Sequence, residues 1–415
     1  MLINLKKNIL FLFCALISFS TFGQYQFDKL NLRMHKFVKE NELAGIQTLI
    51  IKDNKIINFD TYGYSNIKEN KKLNSSSIFR IASMTKCIVS VGLMKLYDRG
   101  LFDLQDPIDK FLPEFKKMYV FVNKNNFTKA EKPIRVIDIL RHTTGIGKTS
   151  PYLKEKLEEL KKNPSIDLQM EINRLSKIPL SNEPGTVWRY SPATNICGLL
   201  IEKISGKSLD KFLKDEIFDP LEMKDTFFQV PKDKIDRFTT GYMIDNEQKL
   251  IELDNPLKSS YTKRVTFFIA SGGLVSTILD YSNFCKMLLN NGEYNGIKIL
   301  KKNTVLLMTT NQLNGIKNAK ENDNNPKPNN SLGFGLGFNI LTDIGKYPIS
   351  GNEGSYGWHG NWGSYFKIDP KENLIMILMT QIKPWKYYNK EIFESLVYEA
   401  IKIKTLNEEK YSNCY

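Results

Sequence analysis

Apolar positions recur with two periods along this chain. Between residues 27 and 41 they fall three and four apart, with Leu30, Met34, Phe37 and Val38 on one side, which predicts an amphipathic helix. Residues 48–52 and 56–62 read as strands around Asp53-Asn54, a natural hairpin turn. Residues 83–97 form a helix that is apolar nearly all round (Ile88, Val89, Val91, Leu93, Met94, Leu96), the pattern of a helix at the centre of a domain. The stretch from about 103 to 223 is mostly helical in period, with Pro/Gly/Thr loops such as 142–147. Further helices are expected over 278–290 and 302–309. Residues 318–331, rich in Asn, Lys and Pro, read as a mobile surface loop. Strands follow at 364–369 and 374–380, joined by Pro370-Lys371-Glu372-Asn373. The last helix is amphipathic through Ile392, Phe393, Leu396, Val397 and Ile401. There are no internal repeats. Strands at both ends and helices between them call for an α+β architecture: a sheet built from the two ends with a helical lobe inserted, not a parallel βαβ fold.

Composition narrows this picture. With 415 residues, 41% of them hydrophobic, the chain can bury a large core. Its start reads as a leader: Lys6 and Lys7, an apolar run over 9–19, and small Thr21 and Gly23 ahead of a cut before Gln24. An uncleaved anchor is the alternative, but the run is short for a bilayer. Bulky Phe13 before Cys14 argues against a lipoprotein site, and no later segment is long and apolar enough to span a membrane. The mature protein is therefore expected in the periplasm or outside the cell. Cys87, Cys197, Cys285 and Cys414 remain after the cut. None forms a close pair, which disfavours zinc and thioredoxin-like chemistry, and Cys87 and Cys197 read as core filler. Net charge is +14, or +12 without Lys6 and Lys7. The lysines are scattered among Asn and Glu and form no basic stripe, so no nucleic-acid partner is expected; attraction to anionic envelope polymers fits better.

Ser83-Met84-Thr85-Lys86 is an S-x-x-K motif. The same spacing occurs at Ser65–Lys68, Ser208–Lys211, Ser260–Lys263 and Ser364–Lys367, so context must decide. The i, i+3 spacing on a helix puts Ser83 and Lys86 on one face. Ser83 opens that helix, beside free N–H groups and the positive end of the dipole. Burial of the helix would carry Lys86 into a low-dielectric place, where an ammonium becomes a useful base. Ser208–Lys211 lies in an amphipathic, solvated segment, and Ser364–Lys367 lies in a strand, where residues three apart face opposite ways. The plain alternative for Ser83 is a helix N-cap. Two further segments favour chemistry. Tyr190-Ser191-Pro192-Ala193 follows the Glu183-Pro184-Gly185 turn and enters an apolar helix; a tyrosine there can share proton transfer with Lys86, though core packing is the common fate of a Tyr. Gly357-Trp358-His359-Gly360-Asn361-Trp362-Gly363-Ser364 precedes an apolar strand. Glycines at this density let backbone approach a ligand, and an N–H there, opposed to that of Ser83, would make an oxyanion hole; the alternative is an ordinary Gly-rich turn.

These three motifs, in this order, resemble the signatures of the serine β-lactamase and penicillin-binding superfamily, near the class C enzymes and family VIII carboxylesterases. Asp138 to Gly145, Pro184 to Gly206, Ser271 to Thr277 and Gly333 to Phe338 resemble its recurrent segments, so the likeness runs from about Leu30 to the last helix. It implies a β-lactamase/transpeptidase-like fold: an antiparallel sheet flanked by terminal helices, plus an inserted all-helical lobe. The expected division is a signal peptide over 1–23, a hydrolase domain over 24–405 and a tail over 406–415. Within the domain, the α/β part takes about 24–80 and 265–405, and the lobe about 81–264. The resemblance also implies Ser83 as the acylated nucleophile, Lys86 and Tyr190 as its base pair, the N–H groups of Ser83 and Asn361 as the oxyanion hole, and Trp358, His359 and Gly360 at the substrate.

Two departures redirect the expected chemistry. Pro192 stands where class C enzymes carry Asn, and Trp358 stands where they carry the Lys that helps receive a β-lactam carboxylate. The site then resembles the esterase-type members, with an aromatic wall for an uncharged acyl or alcohol group. His359 is a weak candidate base, His142 reads as a structural loop residue and His35 as a solvated helix residue. No metal-ligand spacing or phosphate loop is present, so no cofactor is expected. The reading is an exported serine hydrolase acting on a small ester, amide or cell-wall-like substrate. β-Lactamase or D-amino-acid peptidase activity is the alternative, and a low-turnover penicillin- or peptidoglycan-binding protein is the rival from another class.

Overall fold

The computed structural model describes residues 25–318, 331–385 and 388–412. The leader, Cys14, Cys414 and nearly all of the Asn-rich 318–331 loop lie outside the described residues.

Helix α1 (Asp28–Lys39) leads into strands β1 (Gly45–Lys52), β2 (Lys55–Asn66) and β3 (Lys71–Lys72). The β1–β2 turn is tight because Asp53 and Asn54 both take positive φ (50° and 60°), the pairing a two-residue hairpin favours. The remaining strands of this sheet come from the far end of the chain: β4 (Leu332–Phe334), β5 (Asn339–Leu341), β6 (Tyr356–Gly360), β7 (Ser364–Asp369) and β8 (Leu374–Met379). The eight-stranded order is β4-β5-β6-β7-β8-β1-β2-β3, antiparallel throughout. β1 and β8 are direct neighbours, with Leu49 opposite Ile377.

Alternation along these strands feeds two cores. Leu49, Ile51, Trp358, Phe366, Ile375 and Ile377 face the inserted segment, in one hydrophobic cluster with α2 (Thr85–Asp98). Ile46, Ile50, Tyr365, Met376 and Leu378 face the other way, onto Leu30, Met34 and Phe37 of α1 and Phe393, Val397 and Ile401 of the terminal helix (Tyr388–Ser412). That second face also buries Glu394, which is ion-paired to Lys367 and accepts hydrogen bonds from Tyr347 (3.2 Å) and Tyr365 (3.0 Å).

α2 is buried on almost every side, as its sequence predicts, and Cys87 is fully buried within it. The insert is largely helical, but it also carries two hairpins, Tyr119–Asn123 with Asn126–Lys129 and Gly241–Ile244 with Leu250–Asp254. The terminal helix runs on through residues 406–412, which the sequence reading set apart as a tail. His35 is half-buried where its sequence reads as solvated. Its Nε2 lies 2.6 Å from Asp60 Oδ2, and its ring stacks on Tyr62 at 4.0 Å, because α1 packs on β2.

Candidate active site

The chain approaches Ser83 through a strained turn. Ala82 holds φ at 43°, a left-handed value that costs a residue with a Cβ, and a 3₁₀ turn (Ala82–Met84) hands over to α2. The turn is tied down from several sides. Ile81 N–H donates to Leu274 O (3.2 Å), the Leu274 N–H donates to Thr85 Oγ1 (3.1 Å), and the Tyr281 hydroxyl donates to Met84 O (3.2 Å). Ser83 itself stays partly exposed while Lys86, one turn on, is 5% exposed.

Lys86 Nζ lies 3.2 Å from Ser83 Oγ and donates to Ser271 O at 2.5 Å. Ser271 is in turn held by Asn195, whose Oδ1 accepts the Ser271 N–H at 2.8 Å. Asn195 lies in the buried helix Thr194–Ser205, which begins just after Tyr190-Ser191-Pro192. One helix therefore fixes both the lysine's carbonyl partner and the tyrosine. The Tyr190 ring sits under the ammonium, with 4.7 Å from Nζ to the ring centroid. The structure thus brings Ser83, Lys86 and Tyr190 together around one point.

The competing S-x-x-K matches have no such setting. Lys211 is an exposed residue in a short surface helix, with a side chain 65% exposed, and Lys367 pairs with Glu394 on the far face of the sheet.

β6 closes the other side. Gly360 packs so closely on Ile81 O and Ser364 Oγ that a Cβ would collide with both, and the Ser364 hydroxyl donates to Ile81 O at 3.3 Å. The turn that follows carries Asn361, which is exposed, next to the segment that carries Ser83. Register separates the two other candidates on β6. Trp358 pairs with Phe366 and is buried on the Ser83 side of the sheet. His359 pairs with Tyr365, on the face under the terminal helices, and its ring lies 5.3 Å from Trp385. Burial, with Lys390 and Lys86 nearby, pushes the His359 imidazole well below its ordinary pKa.

Trp358 belongs to an aromatic wall. Its ring lies 5.4 Å from Tyr190 and 5.4 Å from Phe334, with Trp188 and His142 behind them. The Trp358 Nε1 and Tyr190 hydroxyl are buried without a protein hydrogen-bond partner. Position 358 itself carries an indole and no cation. Among the described residues no group of three or more His, Cys, Asp or Glu is placed to hold a metal, and no helix is long and apolar enough to cross a membrane.

Ser271, Asn195 and His142 were not singled out for the site by sequence reasoning. All three lie inside family-like segments that carried no stated catalytic role.

The family model described as Beta-lactamase matches residues 30–396. An uncharacterised protein of Mycobacterium tuberculosis is 29% identical over 82% of this chain and 86% of its own length. An N-acetylmuramyl-L-alanine amidase of Bacillus subtilis is 26% identical, with 91% and 92% covered. Among solved structures, EstCE1, a hydrolase with promiscuous acyltransferase activity, superposes with a TM-score of 0.74 at 19% identity, covering 88% of this chain and 96% of that one.

Proposed function

Since the chain belongs to the Beta-lactamase family of serine hydrolases, we propose that it is an exported hydrolase that works through an acyl-enzyme on Ser83. The observation that carries this reading is the single constellation of Ser83 Oγ, Lys86 Nζ at 3.2 Å and the Tyr190 ring 4.7 Å from that nitrogen. Ser83 Oγ attacks the substrate carbonyl carbon. Its proton passes through the Lys86/Tyr190 pair to the leaving alcohol or amine as the carbonyl–heteroatom bond breaks. Water then attacks the ester on Ser83, gives a proton to the same pair, and the Ser83 hydroxyl is restored as the acid leaves. The N–H groups of Ser83 and Asn361 are the proposed oxyanion donors, each worth roughly 3 kcal/mol in a transition state.

Trp358 and Pro192 favour an ester or amide whose acyl part carries no carboxylate, because the site offers an indole where a carboxylate needs a cation. The name of the Bacillus subtilis relative keeps amides of cell-wall type in view. Export rests on the Lys6/Lys7 and 9–19 leader pattern.

A fluorophosphonate probe and short-chain nitrophenyl esters test the mechanism. Wild-type protein should be labelled and turn over; Ser83→Ala should do neither. Labelling or turnover that survives loss of Ser83 would sink it, and labelling without turnover would point to a binding protein. Nitrocefin should be a poor substrate, and hydrolysis at the rate of a dedicated β-lactamase would refute the argument from Trp358.

A further inference from the structure

His142 does more than fill a loop. It follows the short helix Val136–Leu140 and takes φ of 59°, in a turn held by Asp138, whose Oδ1 accepts from Thr143 Oγ1 (2.8 Å) and Arg141 Nη2 (2.9 Å). Its carbonyl accepts the Arg189 N–H at 2.8 Å, one residue before Tyr190. Gly185 N–H to Thr143 O (2.8 Å) and Ser181 N–H to Gly145 O (2.7 Å) clamp the same two segments again. The His142 ring then lies 4.9 Å from the Tyr190 ring, tilted by 60°, with Trp188 and Phe334 on its other sides.

A hydrocarbon ring would fill this place without a polar cost. Instead Nδ1 of His142 is buried with no protein partner, as is the hydroxyl of Tyr190, whose ring packs against the imidazole. A buried unpaired polar atom costs about 1–3 kcal/mol. With Trp188 Nε1 and Trp358 Nε1 they make four such atoms in one aromatic cluster, next to Lys86, and mark a place where polarity serves the reaction more than stability. Burial, with the Lys86 charge nearby, pushes the imidazole pKa down to about 3, so the ring stays neutral and adds no second cation beside the lysine.

We propose that His142 is a positioning residue for Tyr190: its carbonyl anchors the segment, its ring sets the tilt of the phenol, and Nδ1 supplies the uncharged polar neighbour that the phenol needs while it relays the Ser83 proton. This rests on the Ser83–Lys86–Tyr190 reading above. His142 touches no reacting atom.

The test uses substitutions that accept a left-handed backbone. His142→Gly removes ring and nitrogen; His142→Asn restores a polar atom at the δ position. Each is made alone and with Tyr190→Phe, and assayed on a nitrophenyl ester with melting temperature as the fold control. His142→Gly should lower kcat about 10- to 100-fold with KM changed less than about threefold, and His142→Asn should keep at least about one-fifth of wild-type kcat. In the Tyr190→Phe background, His142→Gly should cost less than about threefold more, because the hydroxyl it serves is gone. A His142→Gly enzyme with wild-type kcat, a loss that Asn does not recover, or a loss that persists undiminished without the Tyr190 hydroxyl would each overturn the proposal. Should the Gly variant fail to melt cooperatively, the Asn variant decides on the same one-fifth threshold. A wild-type protein that neither labels nor turns over refutes the hydrolase reading instead, and is scored separately.

Discussion

Gly360→Ala is a one-methyl change at the seam between β6 and the turn that carries Ser83. A Cβ at 360 would penetrate normal van der Waals distance to Ile81 O and Ser364 Oγ by about 1 Å, and neither neighbour can step aside freely. Ile81 O is the backbone acceptor for Met84 N–H (3.0 Å), and Ser364 opens β7, paired with Gly360. The strand edge must therefore move away from Ser83 by about that amount, and Asn361, the next residue, moves with it. A misplacement of about 1 Å in a catalytic frame can cost about 100-fold in rate, while overpacking of this size costs about 1–3 kcal/mol of stability. The expected result on a nitrophenyl ester is a kcat down by about two orders of magnitude in a protein that still melts cooperatively. Gly272→Ala is the matched control. It too lies against the Ser83 turn, yet its nearest new contact is Ala82 C at 3.6 Å, an ordinary separation, so it should leave kcat within about twofold. Wild-type turnover in Gly360→Ala, or equal losses in the two variants, would refute the reasoning that β6 is seated on the nucleophile turn.

Three further outcomes follow from the same geometry. Tyr190→Phe should lower kcat on nitrophenyl esters by about 100-fold or more while fluorophosphonate labelling of Ser83 becomes slow, not absent; unchanged labelling kinetics would count against the proton role. Arg80 is fully buried; its Nε donates to Asp254 Oδ2 (2.7 Å) and its Nη1 to Thr239 O (2.6 Å). Arg80→Met, by leaving Thr239 O unpaired and Asp254 with only the Ser259 hydroxyl (2.9 Å) as partner, should cost about 3 kcal/mol in urea unfolding. Burial, with Asp225 nearby, raises the Asp280 carboxyl from its ordinary 3.8 to about 6, so between those values the folded protein holds a proton that the unfolded chain has released. Stability should therefore fall as pH rises from about 4 to 6, by about 3 kcal/mol in all, and Asp280→Asn should flatten that slope in pH-dependent melting.

Much of the site was legible because its signals are local. Ser83 and Lys86 are three residues apart on a helix whose burial is written in an unbroken apolar run. Trp358 and Gly360 sit in a Gly-rich stretch that has few other uses. What the sequence did not disclose depends on contacts between distant segments. Ser271 meets Lys86 across 185 positions, and Asn195 meets Ser271 across 76. His35 read as solvated because its own helix face is polar, yet the residues that cover it, Asp60 and Tyr62, belong to β2. The hairpin Tyr119–Asn123/Asn126–Lys129 escaped notice because most of its side chains are exposed or half-exposed, so no buried face imposes a period on the sequence. The two faces of β6 were likewise invisible until register paired Trp358 with Phe366 and His359 with Tyr365.

The pairing of β1 with β8 also sets a clock. Lys52 donates to Glu372 O, a partner 320 residues later, and Leu49 waits for Ile377. During synthesis the N-terminal hairpin emerges with one edge open and stays open until nearly the whole chain has been made. Contacts of such separation make folding slow, and the sheet cannot close on a nascent chain. Under the export proposed above, this delay would be useful: the strand that completes the sheet arrives late, and the chain would stay threadable until then.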